Sequence, residues 1–251
     1  MRRKSILSAA IVTSAMVAAT IISGTASASA AATCSPTGFI RDGLNLTAAQ
    51  IGGPVTGALD ATGCNIGVYL DATTTTGSVG SADISGANYY GIVVNGVSAD
   101  VTNSTIHNIG DSPLSGNQHG NAILYVNGAS GTISGNTVYF FQKNGITVSG
   151  RNADQFGGLY QGVTSASVLN NVVTGEGKID YIAQNGIQIS YGGSALVRGN
   201  TVSGFWYTPA TVTSCGLLFF QAGGVKQQAN SMSGNQTNLC NAGRGGGNFV
   251  A

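Results

Sequence analysis

Short apolar runs with a small residue at their head recur along the chain. They read Gly67-Val68-Tyr69-Leu70, Gly91-Ile92-Val93-Val94, Ala122-Ile123-Leu124-Tyr125, Gly145-Ile146-Thr147-Val148, Gly186-Ile187-Gln188-Ile189 and Gly216-Leu217-Leu218-Phe219. Further along each row comes a turn centred on asparagine: Gly135-Asn136-Thr137-Val138, Asn170-Asn171-Val172-Val173, Gly199-Asn200-Thr201-Val202 and Ala229-Asn230-Ser231-Met232. The small residue and the Asn lie 14 apart in three rows, and nine residues separate Asn136 from Gly145, so one complete turn is 23 residues. Alternating β-branched runs at that period, with no helical stripe, predict stacked coils of strand. A single coil cannot bury its inward face, so neighbouring coils share one core.

The recurring Asn has a physical reason. It tolerates the left-handed backbone of a tight turn, and its amide can donate and accept along a stack of its own copies. Asn136, Asn171, Asn200 and Asn230 are therefore expected to form a structural ladder. Residues 33–66 lack the period and are expected to cap the first coil. There Thr47 and Gln50 have the spacing of a capping box, which predicts a short helix. Residues 67–236 are expected to hold about six coils, and residues 237–251 a loose tail around Arg244.

These rows resemble those of the right-handed parallel β-helix repeat-containing proteins, secreted bacterial members of the pectate-lyase-like superfamily. The resemblance runs from about Cys64 to Gln236. It implies an all-β solenoid, a right-handed parallel β-helix, but is unspecific for activity: the superfamily mixes lyases, hydrolases, adhesins and structural proteins.

Composition narrows the class. Arg2-Arg3-Lys4, the apolar stretch 6–22 and the small-x-small sites ending at Ala28, Ala30 or Ala32 read as a signal peptide over residues 1–32, hence a secreted, extracellular chain. Its removal leaves about 220 residues with seven basic and nine acidic side chains. So few cations argue against a nucleic-acid partner. No membrane segment remains after cleavage, and the chain is read as a monomer. Four cysteines in an exported chain predict two disulfides. Of the three pairings, Cys34–Cys64 and Cys215–Cys240 each tie down one end of the domain.

A solenoid carries function where insertions leave the repeat. The connection from an Asn turn to the next small residue is seven residues after Ile84 and Val138. It is 16 after Ile106, 13 after Val173 and 14 after Val202. Residues 150–165 carry about 12 more at the other end of a strand. Loops on both flanks would make a groove with the first sheet as its floor, where family members that are enzymes hold polysaccharide. If Ile146, Val148, Ile187 and Ile189 point inward, the floor is Val93, Thr147, Gln188 and Leu218, then Asn95, Ser149, Ser190 and Phe220. No charge falls on it. The aspartate cluster of polygalacturonase-like hydrolases and the calcium carboxylates of pectate lyases are both missing from this floor.

Charged and aromatic candidates sit in the loops. Asp180 with Arg151 or Lys143 could serve as an acid and base in β-elimination, with His119 a further candidate or simply a hydrogen-bonded loop residue. Asp154, Glu176 and Asp180 could hold Ca²⁺. Tyr160, Tyr181, Gln188, Trp206 and Tyr207 could contact sugar, although each aromatic has packing of its own loop as the alternative. Gln227 stands where other rows place Ile133, Val168 or Val197. The expectation is binding or processing of an extracellular polysaccharide; the alternative is a non-catalytic structural or surface-interaction solenoid. An ice-binding array is not expected, because residues 73–76 form a Thr run that does not recur at 23 residues.

Overall fold

The computed structural model describes residues 32–74, 77–151 and 163–243. The expected signal peptide (residues 1–31 of it), Asp154, Tyr160 and Arg244 lie outside them.

A hairpin of β1 (Ser35–Arg41) and β2 (Leu44–Ile51) opens the chain, and β3 (Val55–Asp60) completes the first coil. The second coil holds β4 (Ile66–Asp71) and β5 (Val79–Ser85). Each later coil has three strands. The third is β6 (Tyr90–Asn95), β7 (Val101–Thr102) and β8 (Thr105–Ile109), and the fourth β9 (Asn121–Val126), β10 (Ser130–Ser134) and β11 (Thr137–Phe141). The fifth is β12 (Asn144–Ser149), β13 (Ser165–Leu169) and β14 (Val172–Ile179), and the sixth β15 (Asn185–Ser190), β16 (Ser194–Arg198) and β17 (Thr201–Tyr207). The seventh is β18 (Cys215–Phe220), β19 (Val225–Gln228) and β20 (Ser231–Ser233), after which β21 (Thr237–Ala242) returns to the first sheet.

That first sheet runs β1-β2-β4-β6-β9-β12-β15-β18-β21. Only β1 pairs antiparallel; every later neighbour in it is parallel. The other strands join in one 12-stranded sheet that branches at β5, which pairs with β3, β7 and β8. Ile123, Ile146, Ile187 and Leu217 are in register along the axis, so residues one coil apart are vertical neighbours. The side chains pointing inward make a single core. Ile92, Ile123, Ile146 and Ile187 from the first sheet meet Ile106, Ile133, Val138, Val168 and Val173, all fully buried. Burial of each such side chain contributes roughly 1.5–3 kcal/mol, which is what stacks the coils. Tyr125 is the one phenol among the largest fully buried side chains, and its hydroxyl donates to Ala99 O at 2.6 Å. No helix occurs among the described residues, so none there is long and apolar enough to cross a membrane.

The Asn side chains bridge coil to coil. Asn136 and Asn171 each donate through Nδ2 to the next Asn Oδ1 and to a carbonyl of the preceding coil, Val101 O and Ile133 O respectively, all at 2.9–3.0 Å. Asn200 does the same to Asn230 Oδ1 and Val168 O. At the N-terminal side Ser104 continues the series: its N–H donates to Asn136 Oδ1 and its Oγ accepts from Ala82 N–H. The left-handed residue of each turn is the one before the ladder Asn, namely Gly135, Asn170, Gly199 and Ala229. The ladder Asn is used for its amide, not for a left-handed backbone.

The structure corrects the reading of the N-terminal region. Thr47, Ala48, Ala49 and Gln50 lie in β2, not in a helix. The Thr47 hydroxyl bonds Asn65 Oδ1 at 3.2 Å, where a capping box would have turned it to its own backbone. Residues 48–51 already pair parallel with β4, so stacking begins inside the segment expected as a cap. Stacking likewise continues into the segment expected as a tail, because Thr237–Ala242 pairs with β18. Disulfides Cys34–Cys64 and Cys215–Cys240 hold these two ends. Gln227 is opposite Val197, and it is exposed at the end of its row.

Candidate functional site

On the outward face of the first sheet, strand alternation builds two rows. One row runs Tyr69, Val93, Leu124, Thr147, Gln188, Leu218; the next runs Asn95, Val126, Ser149, Ser190, Phe220. A third, absent from the sequence reading, holds Tyr90, Asn121, Asn144, Asn185 and Cys215. Its signal was available, since Asn stands directly before the small residue in Asn121-Ala122, Asn144-Gly145 and Asn185-Gly186. Asn185 Nδ2 donates to Asn144 Oδ1 at 3.0 Å, and Asn185 Oδ1 accepts from Cys215 N–H.

Over these rows lies a groove of about 510 Å³. Its floor is Asn121, Asn144, Asn185, Thr147, Gln188, Ser149 and Ser190, and Arg41, Lys143 and Arg151 reach it from the sides. Tyr90 and Leu124 close one end, and Tyr191, Leu218 and Phe220 line the other. A smaller cavity of about 300 Å³ continues from it, sharing Lys143, Asn185, Leu218 and Phe220 and adding Tyr181, Tyr207 and Val212. Neither cavity has an Asp or Glu among its described lining residues.

Three glutamines hold the loops above this face. Gln142, fully buried, accepts at Oε1 from the Asp111 and Ser115 N–H groups and donates to Asn117 O. Gln184 accepts from Glu176 N–H and donates to Phe141 O and to Glu176 Oε1. Gln236 accepts from the Tyr207 and Ser214 N–H groups. A buried amide with a donor and acceptors can satisfy irregular backbone that no ladder serves.

The candidate residues divide. Lys143 faces both cavities and its ammonium donates to Ala183 O at 2.9 Å; burial pushes its amine down to about 8. Arg151 lines the groove with its guanidinium 4.3 Å from the Tyr191 ring centre. Gln188 is on the floor, and its amide donates to Ser190 Oγ at 3.2 Å. Tyr181 and Tyr207 line the smaller cavity. Asp180 is exposed and lines neither cavity, and no ion pair joins it to Arg151 or Lys143. Trp206 pairs with Lys178 on the neighbouring strand, the ammonium 5.0 Å from its ring, and also lies outside both linings. Glu176 is engaged by Gln184, and burial raises its carboxyl. No group of three His, Cys, Asp or Glu able to hold a metal ion occurs among the described residues.

His119 has a different setting. It is buried, stacked on Tyr89 with ring centres 3.9 Å apart. Its Nε2 lies 2.8 Å from Asp111 Oδ1 and its Nδ1 3.8 Å from Asp42 Oδ2. Burial raises the Asp111 carboxyl, but hydrogen bonds from Ser115, His119 and Asn117 outweigh that and hold it down at about 2. Asp42 belongs to the tip of the β1–β2 hairpin. The neighbouring Arg41 donates from Nη2 to Gln118 O at 2.9 Å, a contact across 77 residues of sequence. Nothing in the repeat points to this pairing, so Arg41 and Asp42 were missed.

Residues 90–246 match the family described as the right handed beta helix region, and the chain belongs to that family. No curated protein and no solved structure matches it.

Proposed function

We propose that this is a secreted protein that binds an acidic extracellular polysaccharide in the groove over the first sheet. The observation that carries this reading is the lining: three cationic side chains, Arg41, Lys143 and Arg151, around a floor of amides and hydroxyls, with no carboxylate among the described lining residues. Amides and hydroxyls suit sugar hydroxyls, the cations suit uronate or sulfate groups, and Tyr191 and Phe220 offer faces to pyranose rings. Two disulfides fit an oxidising compartment. Calorimetry with oligogalacturonate or oligoalginate against a neutral oligosaccharide of equal length tests it. Binding of the acidic ligands alone, weakened about tenfold or more by Lys143→Met or Gln188→Ala, is the expected result. Equal binding of the neutral ligand, or none of either, overturns it.

Cleavage by β-elimination is a second reading, favoured by Lys143. An amine near 8 is partly neutral in mildly alkaline solution and can accept the proton next to a uronate carboxyl. Appearance of the absorbance of an unsaturated uronate product, lost in Lys143→Met, supports it; binding without that absorbance excludes it. Asp180, exposed and away from the groove, has no part in this reading.

A further inference from the structure

The groove is blind at its N-terminal side, and we infer that it receives the end of a polysaccharide chain rather than its middle. This rests on the polysaccharide reading above and adds how the chain lies.

The row that forms the floor changes character at Leu124. Leu124, Thr147, Gln188 and Leu218 all line the groove. Tyr69 and Val93, the next two residues of the same row, do not, although alternation aims them at the same side. They are buried in a separate apolar cluster with Phe39 and Leu46 of the hairpin. The Phe39 ring stands edge-on to Tyr90, with centres 6.0 Å apart, and tilted against Tyr69 at 5.9 Å. The hairpin thus crosses the outward face of β4 and β6 and ends the cavity there.

Its tip is fastened. Arg41 Nη2 donates to Gln118 O, Arg41 Nε lies 3.3 Å from Asp42 Oδ1, and Asp42 faces His119, which Asp111 and Tyr89 hold from its other sides. A wall held by these contacts to the 110–120 loop, with apolar packing behind it, does not swing aside for a long ligand. At the opposite side Leu218 and Phe220 keep partial exposure. The open floor spans β9, β12, β15 and β18, three strand spacings or roughly 14 Å, which is about three sugar units.

The test uses the unmodified protein and uronate oligosaccharides of two to six units, free or carrying a bulky tag on one terminus or the other. Affinity should rise to a length of about three or four units and then level off. A tag on one terminus should weaken binding about tenfold or more, and a tag on the other should leave it within about twofold. On long polymers the number of protein molecules bound should follow the number of chain ends. In Arg41→Ala/Asp42→Ala the penalty of the sensitive tag should shrink; the tag comparison on the unmodified protein decides the matter even where that variant does not fold. Tolerance of both tags, with bound protein scaling with polymer length, overturns the blind end while leaving the polysaccharide reading intact. Binding of no oligosaccharide overturns both.

Discussion

Asn171 Oδ1 accepts from both the backbone and the side-chain amide of Asn136, each at 3.0 Å, in a fully buried position. Its own Nδ2 donates to Asn200 Oδ1 and Ile133 O at 2.9 Å. Asn171→Ala would strip partners from groups on two other coils, and each buried group left unsatisfied costs about 1–3 kcal/mol. The expected loss is about 3–5 kcal/mol, measured by urea denaturation. Asn171→Asp should cost at least as much, because it removes both donors and buries a charge.

Lys143 ties stability to function in opposite directions. Its folded pKa of about 8 is below the ordinary lysine value of 10.5, so the unfolded chain binds more protons between those limits. Stability therefore rises as pH increases through that interval. Lys143→Met should be more stable at pH 7 by about 1–2 kcal/mol, the residue's partial solvent contact holding the gain below that of a fully buried amine. The advantage should fade toward pH 10–11. Binding of an acidic oligosaccharide should weaken in the variant, and in the wild type should decline as pH rises through about 8.

Asp111 supplies the acid limb. Its folded carboxyl is depressed to about 2, so its contribution is complete above the ordinary carboxylate range and is lost as pH falls from about 4 through 2. Asp111→Asn keeps some of the contacts to Ser115 and Asn117 but not the charge beside His119. It should be less stable than wild type by about 1–2 kcal/mol at pH 6, with the two curves converging near pH 2. Denaturation at a series of pH values reads this directly.

Cys215–Cys240 closes a separation of 25 residues around the last coil. Restriction of the unfolded chain by a loop of that length contributes about 3.5 kcal/mol. The double variant Cys215→Ala/Cys240→Ala should lose about that much, and hydrogen exchange should speed up first in Thr237–Ala242, whose only strand partner among the described residues is β18.

The repeat was legible because it is local chemistry copied along the chain. Short β-branched runs at one spacing, each followed by an Asn, specify a coil, and coils of one length have only one way to bury their inner faces. That reasoning placed Ile146 beside Ile187 and Thr147 beside Gln188 without any tertiary information, and the separate argument that each bridge ties down one end of the domain chose Cys34–Cys64 and Cys215–Cys240. It failed where the chain leaves the period. Thr47 and Gln50 satisfy a helix rule, but pairing with β4 and the Asn65 side chain offered that segment more hydrogen bonds than an isolated turn.

The sequence by itself determined the solenoid, its core and the floor rows of Thr147 with Gln188 and Ser149 with Ser190, since each follows from residues a fixed distance apart, but not the floor row of Asn121, Asn144 and Asn185. Only the tertiary structure decided which loop charges face that floor. Arg41 comes to it across 77 residues, through a hairpin that no repeat governs, while Asp180 turns to solvent. Loop side chains go where buried Gln142 and Gln184, half-buried Gln236 and the neighbouring loops place them, and those positions follow from packing in three dimensions rather than from spacing along the chain.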